Sequence, residues 1–279
     1  MILNLDPQFN PFPIRPPVEF EAFTFSGGEP HIKIKSDLSE AETVMITHRI
    51  NSFNDFGLLL IAIDAVKRCW VDEIWVYIPY FPAARQDRVM VAGEALSVKV
   101  YADILNQLNL KGVIVFDPHS EVTPALLNNS VTVGNFMFIQ EILQDLPKDT
   151  ILISPDGGAL KKIHKLAAHL QHYEVVECSK LRDVKTGKLS GFTVYANDLK
   201  GRPCLIVDDI CDGGGTFMGL ADQLKAKGAG SLYLAISHGI FSKGTEKLAE
   251  KFEKIFTTDS FRTITDENVV QIPISRFGN

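Results

Sequence analysis

The sequence is poor in the residues that mark several whole classes of protein. Its four cysteines, Cys69, Cys178, Cys204 and Cys211, lie far apart and without metal-ligand spacing. That argues against a disulfide scaffold or a zinc module and suits thiols in a reducing cytoplasm. No apolar run approaches the ~20 residues that cross a bilayer; the nearest, residues 57–66, is interrupted by Asp64. Residues 1–6 carry neither a basic segment nor a long apolar one, so no secretory signal is expected. Positive charge is not in excess either: 28 Lys and Arg against 34 Asp and Glu leave a net charge of −6. Broad binding to nucleic acid or to anionic membranes is therefore not expected. Two familiar nucleotide loops are also missing, since no Gly-Lys-Ser/Thr closes a P-loop and no Gly-x-Gly-x-x-Gly opens a dinucleotide fold.

What the chain does have is concentrated in Cys204-Leu205-Ile206-Val207-Asp208-Asp209-Ile210-Cys211-Asp212-Gly213-Gly214-Gly215-Thr216. The apolar run reads as a buried strand, its end carries two adjacent carboxylates, and a glycine loop opens a helix expected over 217–227. Glycines let backbone N–H groups approach phosphate oxygens closely, a helix N-terminus adds partial positive charge, and Thr216 adds a hydroxyl. Asp208 and Asp209 beside such a loop would accept hydrogen bonds from sugar hydroxyls or hold a cation. A bare turn has no use for three carboxylates so close together.

The rest of the pattern alternates. Strands are expected at 20–25, 31–35, 44–47, 73–78, 112–116, 151–154 and 173–178, and helices at 54–69, 95–108, 136–146 and 158–171. The first two strands flank Ser26-Gly27-Gly28-Glu29, a hairpin signal, and residues 7–17, with five prolines, form an extended lead-in. Strands alternating with helices imply a parallel sheet covered on both faces. The two halves of the chain resemble each other weakly, so two related α/β domains joined near 132–136 are expected, with the active site between them.

The strand, acidic pair and glycine loop resemble the phosphoribosyl-diphosphate (PRPP) motif of type I phosphoribosyltransferases and PRPP synthetases. A second segment separates these families. Tyr77-Ile78-Pro79-Tyr80-Phe81-Pro82-Ala83-Ala84-Arg85-Gln86-Asp87-Arg88 is similar to the Pro-Tyr-x-x-x-Ala-Arg-Gln-Asp-Arg segment of ribose-phosphate pyrophosphokinases. That resemblance implies two phosphoribosyltransferase-like domains, each a mainly parallel sheet flanked by helices, with a hairpin flap. Residues 1–134 would bind ATP and residues 135–279 ribose 5-phosphate. The reaction implied is transfer of the β,γ-diphosphoryl group of ATP to O1 of ribose 5-phosphate, giving PRPP and AMP. Such transfers depend on positioning and charge neutralisation.

By the same resemblance, Asp208 and Asp209 face the ribose hydroxyls and an associated Mg²⁺, and Asp212, Gly213, Gly214, Gly215 and Thr216 wrap the 5-phosphate. Asp117 and His119, in Asp-x-His after a strand, and Asp156 in Asp-Gly-Gly would hold the metal. Lys180 and Arg182 would stabilise the transition state, on an arm whose tip, residues 185–188, looks like a closing flap. Phe25 and Glu29 match the ends of the family's Phe-x-Asp-Gly-Glu hairpin, which reaches the ATP of a neighbouring subunit, and Arg85, Gln86 and Asp87 would hold the nucleotide. A homo-oligomer (dimer, tetramer or hexamer) with a shared site is implied. Departures from the pattern are Gly27 for the hairpin aspartate, Leu181 for the arginine between Lys180 and Arg182, and Asn128 for an acidic cation ligand. The alternatives left open are a phosphoribosyltransferase that consumes PRPP and a non-catalytic regulatory subunit.

Overall fold

The apolar runs at 73–78, 112–116, 151–154 and 204–211 all form strands whose residues are largely buried. The computed structural model describes residues 1–171, 173–182 and 189–277. The backbone forms two units. The first comprises Met1–Gly134, Ser260–Thr263 and Pro273–Asn279, and the second Asn135–Asp259 and Ile264–Ile272. Residues 260–263 and 273–277, assigned by sequence to the second domain, thus belong to the first. The reason is packing: Ile274 is buried with Ile2, Phe9, Met45, Tyr77 and Phe116, and the Phe261 ring meets Tyr80 edge-on at 5.4 Å.

The first unit carries β1 (Ile2–Asn4), β2 (Phe20–Thr24), β3 (Pro30–Ile34), β4 (Thr43–Thr47), α1 (Phe53–Arg68), β5 (Glu73–Ile78), α2 (Ser97–Asn106), β6 (Gly112–Phe116), α3 (Val122–Leu126) and β7 (Ser130–Val133). Its sheet is parallel throughout, in the order β1-β4-β5-β6-β7, while β2 and β3 form a separate antiparallel hairpin. α1 starts on a capping box: Ser52 Oγ accepts from the Asp55 N–H at 3.1 Å and Asp55 Oδ2 from the Ser52 N–H at 2.8 Å. Such a cap contributes about 1 kcal/mol. The helix buries Phe56, Leu59, Ala62, Ile63 and Val66, one face of a 3.6-residue repeat. Gly112 is required at the start of β6, because a Cβ there would lie 2.3 Å from the Trp75 ring. The proline-rich lead-in is packed rather than loose. Phe9 is fully buried, with the Arg49 guanidinium 5.2 Å from its ring centroid and Arg49 Nε 2.5 Å from Asp6 Oδ2.

The second unit carries α4 (Phe136–Gln144), β8 (Ile151–Ser154), α5 (Gly157–Leu170), β9 (Val175–Arg182), β10 (Leu189–Val194), β11 (Cys204–Cys211), α6 (Gly215–Ala226), β12 (Leu232–Gly239), α7 (Glu246–Ala249), β13 (Lys254–Thr258) and β14 (Val269–Ile272). The sheet order is β10-β9-β8-β11-β12-β13-β14, parallel except for the β9/β10 pair. β11 is therefore central, and the acidic pair and glycine loop emerge at its C-terminal end, where open parallel sheets bind ligands. β9 runs four residues beyond the strand read at 173–178, because β10 returns alongside it as the arm. The arm's expected tip, 185–188, lies outside the described residues. Gly219 brings α6 against β10, since a Cβ there would lie 2.4 Å from the Phe192 ring. Among the described residues no helix is long and apolar enough to cross a membrane.

Candidate active site

The glycine loop is built as its sequence demands. Gly214 takes the left-handed conformation (φ 74°, ψ −6°) and is the N-cap of α6, which has no side-chain cap. The helix starts at Gly215, two residues before the expected position, so Thr216 falls in its first turn. Those first N–H groups are the donors a phosphate takes up. Gly215 faces open space, with nothing within 4 Å of the place a Cβ would occupy. Cys211, at the strand's end, is buried, and burial first, then Asp208 and Asp212, push its thiol up to about 12. It stays a neutral packing group.

Beside this loop the sequence-predicted acids and one cation of the second unit come together. Lys180 Nζ is ion-paired with Asp156 Oδ2. The other Asp156 oxygen caps α5, accepting from the Gly158 and Ala159 N–H groups at 2.8 and 3.1 Å. Burial works to raise the Asp156 pKa, but Lys180 and the two cap donors outweigh it and hold the carboxyl below the usual range. Asp208 goes the other way. Enclosure by protein, then the adjacent Asp209, then Asp156, push its carboxyl well above the usual range. The Asp208 Oδ1 accepts from the Asp209 N–H at 3.0 Å, and Asp209 is buried. Asp156 and Asp208 are thus shifted in opposite directions, the first by its cation and cap donors and the second by burial and its neighbouring carboxylates. β9 extends through Arg182; the Arg182 side chain lies outside the described residues.

The first unit holds the remaining predicted residues. Asp117, at the end of β6, is buried in the left-handed region (φ 36°), a conformation that aspartate adopts at a cost of roughly 1–2 kcal/mol. His119, two residues on, is exposed. Asp87 was expected at the nucleotide, but it is buried behind its loop, with one oxygen 3.0 Å from Arg88 Nε and the other without a hydrogen-bond partner. Burial works to raise its pKa, but Arg88 first, then Ser120 and His119, bring it below the usual range. Arg85 and Gln86 are exposed on that turn, which Ala83 makes with φ 56°. On the hairpin, the half-exposed Phe23 and Phe25 rings meet edge-on at 4.8 Å and His31 lies 5.6 Å from Phe25. The Glu29 carboxylate folds over Gly27, 2.6 Å from where a Cβ would stand. Among the described residues no group of three or more His, Cys, Asp or Glu is arranged to hold a metal ion.

Comparison with known proteins decides the family. The family model described as the N-terminal domain of ribose phosphate pyrophosphokinase matches residues 15–108, and the phosphoribosyl transferase domain matches 126–274. Ribose-phosphate pyrophosphokinase from Vibrio cholerae is 30% identical over 244 residues, covering 85% of this chain and 76% of that protein. The chain belongs to the ribose-phosphate pyrophosphokinase family. The pyrophosphokinase of Buchnera aphidicola is 29% identical over 273 residues, covering 91% of this chain and 86% of that protein. The crystal structure of phosphoribosylpyrophosphate synthetase from Mycobacterium smegmatis has the same fold, with a TM-score of 0.84 at 21% identity, covering 99% of this chain and 95% of that one.

Sequence reading missed two residues next to the pyrophosphokinase loop. Ser242 Oγ donates to Asp212 Oδ1 at 2.5 Å, and the exposed Lys243 lays its stem over Gly213. Both follow β12, and only the β11/β12 pairing brings them to the loop.

Proposed function

We propose that this chain is a ribose-phosphate diphosphokinase. The 1-hydroxyl oxygen of ribose 5-phosphate attacks the β-phosphorus of ATP and gives up its proton to solvent, the bond from that phosphorus to the α-phosphate oxygen breaks, and AMP leaves with that oxygen as PRPP forms. Family membership supports the reaction, and the grouping of Lys180, Asp156, Asp208 and Asp209 beside an uncapped helix N-terminus is the observation that carries it. The loop at 212–216 takes the 5-phosphate, Asp208 and Asp209 take the ribose hydroxyls, and Lys180 with Arg182 neutralises charge spreading over the transferred group. Phe25, Glu29, Arg85 and Gln86 hold the nucleotide, with Asp87 positioning the turn behind them.

Mg²⁺ fits this donor set. A carboxyl driven toward its neutral form by burial and then by a neighbouring carboxyl gains from a divalent cation, and hard oxygen ligands suit that ion. Asp208 and Asp209 would hold it with the sugar hydroxyls and phosphates, and Asp117 and His119 would hold the ion on the nucleotide. Both oxygens of Asp156 are engaged, so its part in metal binding follows release of Lys180. When bound, the metal supplies neutralisation of the triphosphate. The exposed Phe23, Phe25 and His31 rings suit a hairpin that serves an adjacent subunit, so the active form is a homo-oligomer, and the reducing cytoplasm suits its free thiols.

The test is incubation with ATP, Mg²⁺ and ribose 5-phosphate, reading AMP and PRPP by chromatography, beside a light-scattering mass. AMP and PRPP appear in equal amounts and only with all three present. AMP release that needs no sugar, or none at all, rejects the assignment; a monomeric active species rejects the shared site.

A further inference from the structure

We infer that Lys243 is a cation of the phosphate loop, that it binds the phosphomonoester of ribose 5-phosphate, and that Gly213 leaves the backbone bare so that the lysine stem can lie across it. The role rests on the reaction proposed for this loop.

The observations converge on the position of this side chain. A Cβ at Gly213 would stand 3.3 Å from both Cδ and Cε of Lys243, so the ammonium is one bond from an atom that lies over the bare Gly213 backbone. The root of the lysine is fixed. The Ile240 and Phe241 N–H groups donate to the Cys211 carbonyl at 2.9 and 3.0 Å, and the Ser242 N–H donates to the Asp212 carbonyl at 3.0 Å. Phe241 (φ 45°) and Gly244 (φ 75°) are both left-handed, which gives the segment a tight, specific turn. On the far side of this turn, Leu248 lies 3.2 Å from the Cβ position of Gly214. Two adjacent glycines of the loop are thus backed by side chains from one segment, one apolar and one cationic.

Charge gives the lysine its task. Asp208, Asp209 and Asp212 surround a loop that must accept a phosphate dianion, against which the helix N-terminus offers only about half a charge. Lys180 is already engaged by Asp156. Lys243 is exposed and, among the described residues, has no ion-pair or hydrogen-bond partner, so its ammonium is not committed elsewhere. A flexible stem with a compact ammonium suits a phosphate that arrives and leaves with each turnover.

The experiment compares wild type with Lys243→Met, which keeps the stem, Lys243→Arg, and the surface control Lys251→Met. Initial rates give kcat and KM for each substrate, and calorimetry measures ribose 5-phosphate binding without ATP. Lys243→Met is expected to raise KM and Kd for ribose 5-phosphate about tenfold, with kcat and the ATP KM within about twofold. Lys243→Arg recovers most of the affinity, Lys251→Met behaves as wild type, and added NaCl weakens sugar binding less in Lys243→Met than in wild type. Unchanged ribose 5-phosphate affinity in Lys243→Met overturns the inference while leaving the reaction intact, and so does an equal loss for both substrates. If wild type binds ribose 5-phosphate but releases no AMP, the proposed reaction fails and the calorimetric comparison still decides the role of Lys243. If wild type does not bind the sugar phosphate, both fall.

Discussion

Lys180 and Asp156 form an ion pair in which the carboxylate serves two partners at once, the lysine through one oxygen and the first N–H groups of α5 through the other. The lysine is thereby stored beside the acidic pair of β11 rather than left in solvent. For Lys180→Ala the expected outcome is a fall in kcat of roughly 10²–10³ with ribose 5-phosphate binding retained, because charge stabilisation of the transferred group is lost while the sugar loop stands. Steady-state rates and calorimetry on the same preparation check this split. Unchanged turnover would remove Lys180 from the chemistry.

The opposite shifts of Asp156 and Asp208 give stability effects of opposite sign. The folded pKa of Asp156 is lowered, so its ionised form contributes stability above the usual aspartate range, and that contribution disappears as pH falls through the folded value. The folded pKa of Asp208 is raised, so its contribution is complete only at acid pH and is lost as pH rises toward the folded value. Asp156→Ala, which also removes a helix cap, should lower the Tm at neutral pH, with the loss shrinking in acid; the cap alone is worth about 1 kcal/mol. Asp208→Asn should raise the Tm at neutral pH, with no gain below the usual aspartate range. Thermal melts across pH 3 to 8, an interval of about one unit on either side of ordinary carboxylate and histidine titration, separate the two.

How far the sequence carried the fold depends on where each strand's signal came from. β6 and β8 are legible to the residue because four and three consecutive apolar side chains, respectively, serve a sheet buried on both faces. β7 is not among the expected strands; the junction near 132–136 overlaps its end, and four residues alternating Ser-Val-Thr-Val at a sheet edge are too short a pattern to mark a strand. β1 is only three residues long, and β13 and β14 fall after the last recognised motif, so neither length nor pattern marks them. The site shows the same division. Asp208, Asp209 and the glycines announce themselves as a contiguous motif. The Lys180–Asp156 pair and the approach of Lys243 to Gly213 are products of strand order, which no local pattern records.

Gly214 is held in a left-handed conformation with Leu248 3.2 Å from the vacant Cβ position. Gly214→Ala should therefore lose roughly 1–2 kcal/mol from backbone strain, with a further loss if Leu248 cannot move aside. A lower urea midpoint together with weaker ribose 5-phosphate binding is the expected pair of results. An alanine variant with unaltered binding would mean that the loop's backbone does not meet the phosphate.

Asp87 offers a test in the first unit. Its carboxylate is buried, and removing it leaves the Arg88 donor without that acceptor. Asp87→Ala should lower stability by roughly 1–3 kcal/mol and raise the KM for ATP more than that for ribose 5-phosphate. Urea denaturation and substrate titrations read the two effects separately. An equal rise for both substrates would argue that Asp87 acts only on the fold.

Because Ile274 completes the small buried cluster of Ile2 and Phe9, and residues 260–263 also return to the first unit, the polypeptide crosses between its halves four times rather than once. A ribosome must therefore deliver nearly the whole chain before Ile274 can take its place beside Ile2 and Phe9. Cutting the gene at residue 134 would yield a fragment missing Phe261, Thr263 and Ile274, a poor candidate for independent expression or for grafting onto another protein.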